Sequence, residues 1–148
     1  MTKAVEEKNS IDKYSLKAIT IQQLGFLTQK FNKMNINNDF QLLLMTQFGF
    51  IKCDLELEIP EDDDFFTPIP NQEDRYQLNL SYLLKQRKEV VKMFEEKGPI
   101  EFVDNGTTLS LKNVSIFKDD MLNPIARLEQ MLVFADQISG LTIVPRNN

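Results

Sequence analysis

The sequence predicts an α+β protein in which helices pack on a strongly bent antiparallel sheet, the C-terminal half curling toward a small barrel. Three observations carry this expectation. Residues 20–34 and 79–97 place apolar side chains at steps of three and four, the period of one helix face. Runs that alternate with period two follow each of these segments, as strands with one buried face do. The run after Gly106 then changes phase at Asn113, which a bulge or bend would accommodate, and such bends are how a small sheet curls.

The bulk properties fit one packed unit of that size. The chain has 148 residues, 42% of them hydrophobic and 26% charged, with a net charge of −5, which is ordinary for a globular domain with a real core. No apolar run reaches the roughly 18–20 residues that span a bilayer, and MTKAVEEKNS carries two glutamates where a signal peptide has an apolar stretch. The expectation is a cytoplasmic protein with no membrane partner. The single cysteine, Cys53, forms no internal disulfide and reads as a core thiol.

The chain has no histidine, so Ser-His-Asp and Cys-His catalysis and histidine-containing metal sites are excluded, and one cysteine makes no thiolate cluster. The five glycines, at 25, 49, 98, 106 and 140, form no phosphate-cradling loop. No metal and no cofactor are implied. Catalysis would have to rest on carboxylates alone, and no two of them are singled out as an acid/base pair, so a non-enzyme is the preferred reading.

In chain order, the first helix carries Leu24, Leu27, Phe31 and Met34 on one face, and Ile19 and Ile21 leave a short strand over 15–21 as the competing reading of its start. NINND, rich in turn formers, ends it. FQLLLMTQFGFIKCDLELEI then alternates on either side of Gly49, placing Ile51, Cys53, Leu55, Leu57 and Ile59 on one face of two strands or one bent strand. Residues 1–57 thus form a helix-and-strand unit.

Residues 58–75, EIPEDDDFFTPIPNQEDR, read as an exposed acidic loop. Pro60, Pro68 and Pro70 oppose a regular element, and the acids from Glu58 to Asp64 repel one another. Within it Asp62, Asp63 and Asp64 precede Phe65 and Phe66, and neighbouring aromatics there either tuck onto the core or await a partner.

Residues 76–148 hold the second helix and the barrel strands. Leu80, Leu83, Leu84, Val91 and Phe94 form the stripe expected to be buried, Lys85, Arg87 and Lys88 lie on the solvated face, and Gly98-Pro99 stops the helix. Asn105-Gly106 supplies the positive φ angles of a hairpin turn between IEFV and TTLSLKNVSIF. After the connection KDDMLNPIARLE come strands over 131–135 and 141–144, with a tight turn from Asp136 to Gly140. Glycine-centred strand pairs preceded by a helix occur in both halves, so the alternative to two separate units is that both share one sheet.

The order helix, strand, Asn-Gly turn, bent strand, variable connection, strand, tight turn, strand resembles Sm-like small barrels of the bacterial RNA-chaperone type. Residues 98–111 look like the first motif, through Ile100, Phe102 and Gly106. Residues 130–145, QMLVFADQISGLTIVP, look like the second, through Gln130, Met131, Val133, Ile138, Ser139, Val144 and Pro145. The resemblance implies an Sm-like or SH3-like barrel and a tendency to assemble. It departs where function would sit: the family's Tyr-Lys-His at its RNA pore is matched by Phe134, Ala135 and Asp136, and a motif glycine by Leu111. A ring lined by Asp136 repels phosphate.

The leading expectation is therefore a non-catalytic interaction or adaptor protein that binds a protein partner through sheet edges and the acidic loop of Asp62, Asp63, Asp64, Phe65 and Phe66. An RNA-binding Sm-like protein using Lys85, Arg87, Lys88, Phe134 and Arg146 is the alternative, disfavoured by the net negative charge, and a carboxylate-dependent enzyme is a distant third. The charge-free final strand GLTIV suggests a homo-oligomer formed by edge pairing. Turn roles fall to Asn105, Gly106 and Gly140.

Overall fold

A computed structural model describes residues 15–34, 39–57, 65–104 and 106–146. Helix α1 spans Leu16–Met34 in a single run, so residues 15–21 form no strand. Ser15 caps it, its Oγ accepting the Ala18 N–H at 3.1 Å. The face that α1 buries is not the one its largest side chains mark. Ala18, Ile21, Gly25 and Thr28 are buried, whereas Leu27 is 60% and Met34 79% exposed. Small residues decide this: a Cβ on Gly25 would lie 2.9 Å from Leu55 Cδ2, so the helix sits closer to the sheet than a larger side chain allows. At its C-terminal end the Asn32 side chain donates to the Phe40 carbonyl and accepts the Phe40 N–H, at 2.9 and 2.8 Å, docking the helix to the start of the first strand.

Strands β1 (Phe40–Thr46) and β2 (Phe50–Leu55) form an antiparallel hairpin rather than one bent strand. Gly49 makes the turn at φ +154°, and a Cβ there would stand 2.1 Å from the Phe117 carbonyl oxygen. Ile51, Cys53 and Leu55 are buried on one face as the alternation predicts.

Two short strands follow, β3 (Phe66–Pro68) and β4 (Tyr76–Leu78), which among the described residues pair with each other alone, so the acidic, proline-containing stretch does hold a regular element. Pro68 is accommodated because this two-stranded ribbon has open edges. Helix α2 spans Ser81–Glu96. The segment after it forms no strand over 98–104, so the expected Asn-Gly hairpin is absent; Asn105 lies outside the described residues, and Gly106 takes the positive φ, +62°, at a bend before a single strand.

That strand, β5 (Thr108–Phe117), pairs with β2 and with β6 (Ala126–Phe134). Lys52 faces Ser115 and Asp54 faces Lys112, so Asn113 and Val114 together oppose Cys53: a bulge at the predicted phase change, with Asn113 at φ +51°. The bulge returns Val114 to the face already occupied by Leu109 and Leu111. A one-turn 3₁₀ helix, Ala135–Gln137, leads into β7 (Ile138–Pro145). Gly140 therefore lies inside a strand, opposite Met45, and not in a turn.

Strands from both halves form one five-stranded antiparallel sheet in the order β6-β5-β2-β1-β7. β7 thus pairs with β1 and not with the β5–β6 pair. β6 and β7 are its two edges, yet only residues 135–137 separate them. Five flat strands would put the edges about 19 Å apart, more than the ~14 Å a four-residue step can reach, so the sheet must curl. It remains open, because β6 and β7 do not pair. The concave side holds the core: Leu42, Leu44, Ile51, Cys53, Leu111 and Ile138 pack with Ala18 and Ile21 of α1. Each large side chain buried there contributes about 1.5–3 kcal/mol. No described helix is long and apolar enough to cross a membrane.

Candidate functional site

The apolar face of α2 is where sequence pattern and burial part company. The stripe expected to be buried is largely open: Leu83 is 51% and Phe94 53% exposed, and Leu84 and Val91 are only half-buried. Only Ser81 and Tyr82, in the first turn, are buried. The segment after the helix runs back beside it, and Leu83, Val90, Phe94, Ile100 and Phe102 line an apolar groove of about 600 Å³. Arg87 holds one wall, donating from Nη1 to the Gly106 carbonyl at 2.8 Å and to Thr108 Oγ1 at 3.0 Å, which ties α2 to the start of β5.

The Phe-Phe pair divides its roles. Phe65 is half-buried and meets Tyr82 edge-on, ring centroids 5.7 Å apart, while Phe66 is exposed with Tyr76 and Leu78 on the β3–β4 ribbon. Asp62, Asp63 and Asp64 lie outside the described residues. The ribbon joins β6 through a Gln77–Glu129 side-chain hydrogen bond, and Gln130 joins the start of α2 to β6, accepting the Leu80 N–H at 2.9 Å. Thus the ribbon meets the sheet through a polar contact at β6 and α2 through polar contacts at β6 and the start of β5, while Leu83, Phe94, Phe66 and Leu78 keep much of their apolar surface exposed.

The residues proposed for RNA are not gathered into one site. Lys85, Arg87 and Lys88 lie on α2, Phe134 is exposed at the end of β6 opposite Thr108, and Arg146 lies beyond the far end of β7. β7 alone separates the last two by about 25 Å of strand. Arg146 is moreover occupied: Nη1 and Nη2 bind Asp54 at 2.8 Å each, and Nε binds Asp39 at 2.5 Å. The hydrogen bond to Asp54 raises the Arg146 pKa above its ordinary value. Burial pushes the Asp54 carboxyl up, but hydrogen bonds from Arg146 and Asn113, with the Arg146 charge, outweigh it and hold the group below the usual carboxylate range.

Sequence reasoning did not single out Lys52 and Asp54, which the fold brings to Arg146. Their signal was charge at alternate positions of an otherwise apolar strand, FIKCDL, which places both on the face opposite the core. Cys53 between them points inward, and burial, then the Asp54 charge, pushes its thiol up to about 12, so it stays protonated and unreactive near neutral pH.

No protein-family model, no curated protein and no solved structure matches this chain.

Proposed function

We propose that this is a non-catalytic interaction protein that binds a protein partner, and that the groove between α2 and residues 100–102 receives an apolar segment of that partner. The carrying observation is the exposure of Leu83, Phe94 and Phe102 along one groove. Large aromatic and aliphatic side chains gathered in a concavity are the usual anchors of protein recognition, and a helix face of this kind is read by a partner at steps of three and four. Scattered exposed apolar residues need no explanation, but a lined groove does. Phe66, Tyr76 and Leu78 extend the same kind of surface onto the β3–β4 ribbon.

The Sm-like reading supports a small-barrel scaffold beneath this surface, through the succession of a curled sheet, a bulged strand, a connection and a strand–turn–strand ending. Its first motif loses the strand it needs over 98–104, so the resemblance rests on residues 130–145. The outer edges of β6 and β7 offer a second route, edge pairing between copies, because no described strand covers either. RNA binding draws no support from the dispersed cations.

The test compares wild type with Leu83→Ser/Phe94→Ser. Proteins cross-linked in extract to a photoreactive group placed at Phe102 are expected with wild type and lost with the double variant at equal folded content. The same cross-linked species from both would remove the groove from the proposal. A gel shift with single-stranded RNA at physiological salt is expected to show no specific complex.

A further inference from the structure

The convex face of the sheet carries a second concavity that neither the interaction surface nor the core uses. It measures about 480 Å³, within the range of roughly 300–1,000 Å³ that small-molecule sites occupy, and lies between strands β1, β2, β5 and β6 and the loop 118–125. Its lining is mainly polar.

The register explains why cations meet there. Lys52 of β2 faces Ser115 of β5, and Ser115 faces Arg127 of β6, so the three stand in one row across three strands and share one face. Lys52 is only 8% exposed, and its ammonium donates to the Arg146 main-chain carbonyl at 2.6 Å. Among the described residues no carboxylate forms an ion pair with Lys52 or Arg127. Asp54 and Asp39 hold Arg146, and Asp120 in the covering loop accepts the N–H groups of Leu122 and Asn123. Burial first, then the positive charges of Arg146 and Arg127, lower the Lys52 pKa.

An ammonium held near two guanidinium groups, with no carboxylate among the described residues paired to it, is destabilising unless something else offsets the charge. A neutral ligand does nothing for that cost, whereas a dianion offsets Lys52 and Arg127 together, with charge-assisted hydrogen bonds from both. We propose that this pocket binds a phosphate group, held between Lys52 and Arg127 beside Ser115, with any organic portion lying against Met121 and Leu122 of the covering loop.

Isothermal titration of the full chain tests this with inorganic phosphate, phenyl phosphate and phenol. The expected result is binding of at least one phosphate at millimolar concentration or tighter, no binding of phenol, and affinity reduced tenfold or more by Lys52→Met and by Arg127→Gln. Tighter binding of phenyl phosphate than of inorganic phosphate would assign the natural ligand to the monoesters; equal binding would assign it to the free ion. Should Lys52→Met fail to fold, the surface variant Arg127→Gln carries the test alone. No heat with either phosphate, or affinity unchanged in the folded variants, would overturn the proposal.

Discussion

The five-stranded sheet with α1 and the stretch from Phe65 to Asp104 use similar sequence patterns to opposite ends. In the sheet, Cys53 and Leu111 stand between polar neighbours, Leu42 and Leu44 flank Leu43 in an apolar run, and all four are enclosed together with Ile51. In the stretch 65–104, α2 carries a stripe just as regular, yet Leu83, Phe94 and Phe102 remain in solvent. The periodicity identifies which face would be buried, but a covering layer must exist in the chain before burial follows. The sheet already has α1 on its concave side, and α2 is tied to it through Arg87 and through the Leu80–Gln130 hydrogen bond at its start.

Substitutions that break this comparison should separate the two regions by size of effect. Largest is Gly49→Ala, whose Cβ would meet the Phe117 carbonyl at 2.1 Å. Because backbone rather than a flexible side chain blocks it, a loss of about 3–5 kcal/mol is expected from urea denaturation. Leu44→Ala, at a fully buried site, should lose about 2–5 kcal/mol by the same measurement. A loss under about 1 kcal/mol there would mean that the sheet region is as loosely covered as α2.

Asp54→Ala should cost about 1–3 kcal/mol, since it removes both hydrogen bonds to the guanidinium of Arg146. Its pH dependence sharpens the assignment. A carboxyl whose folded pKa is depressed stabilises the fold above the unfolded value, about 3.9, and that contribution fades as pH falls through the folded pKa. Denaturation of wild type should therefore weaken more steeply below about pH 4 than that of Asp54→Asn, and parallel curves would count against the ion pair.

Gly106→Val, at φ +62° on the boundary between the two regions, should cost about 1–2 kcal/mol in thermal melting. Smallest are Leu83→Ser and Phe94→Ser, each expected within about 0.5 kcal/mol of wild type.

Much of the sheet was legible in the chain, because local constraints wrote it. The phase change at Asn113 located the bulge, and the alternation from Ile51 to Leu55 located the core face of β2. What failed depended on close approach or distant pairing. The buried face of α1 was hidden because Ala18, Gly25 and Thr28 carry too little apolar surface to mark it, although Gly25 sets the distance to Leu55. The Asn-Gly hairpin was misread because IEFV has the composition of a strand, yet no strand among the described residues pairs with it. The row of Lys52, Ser115 and Arg127 arises only once three strands find their register.

The most direct test sets the two regions side by side in thermal melting followed by circular dichroism, with Leu44→Ala against Leu83→Ser/Phe94→Ser. The double variant should melt within about 2 °C of wild type, while Leu44→Ala should melt roughly 10 °C lower. A double variant that melts as early as Leu44→Ala would show that the α2 face is part of the folded core, which contradicts the docking role proposed for it.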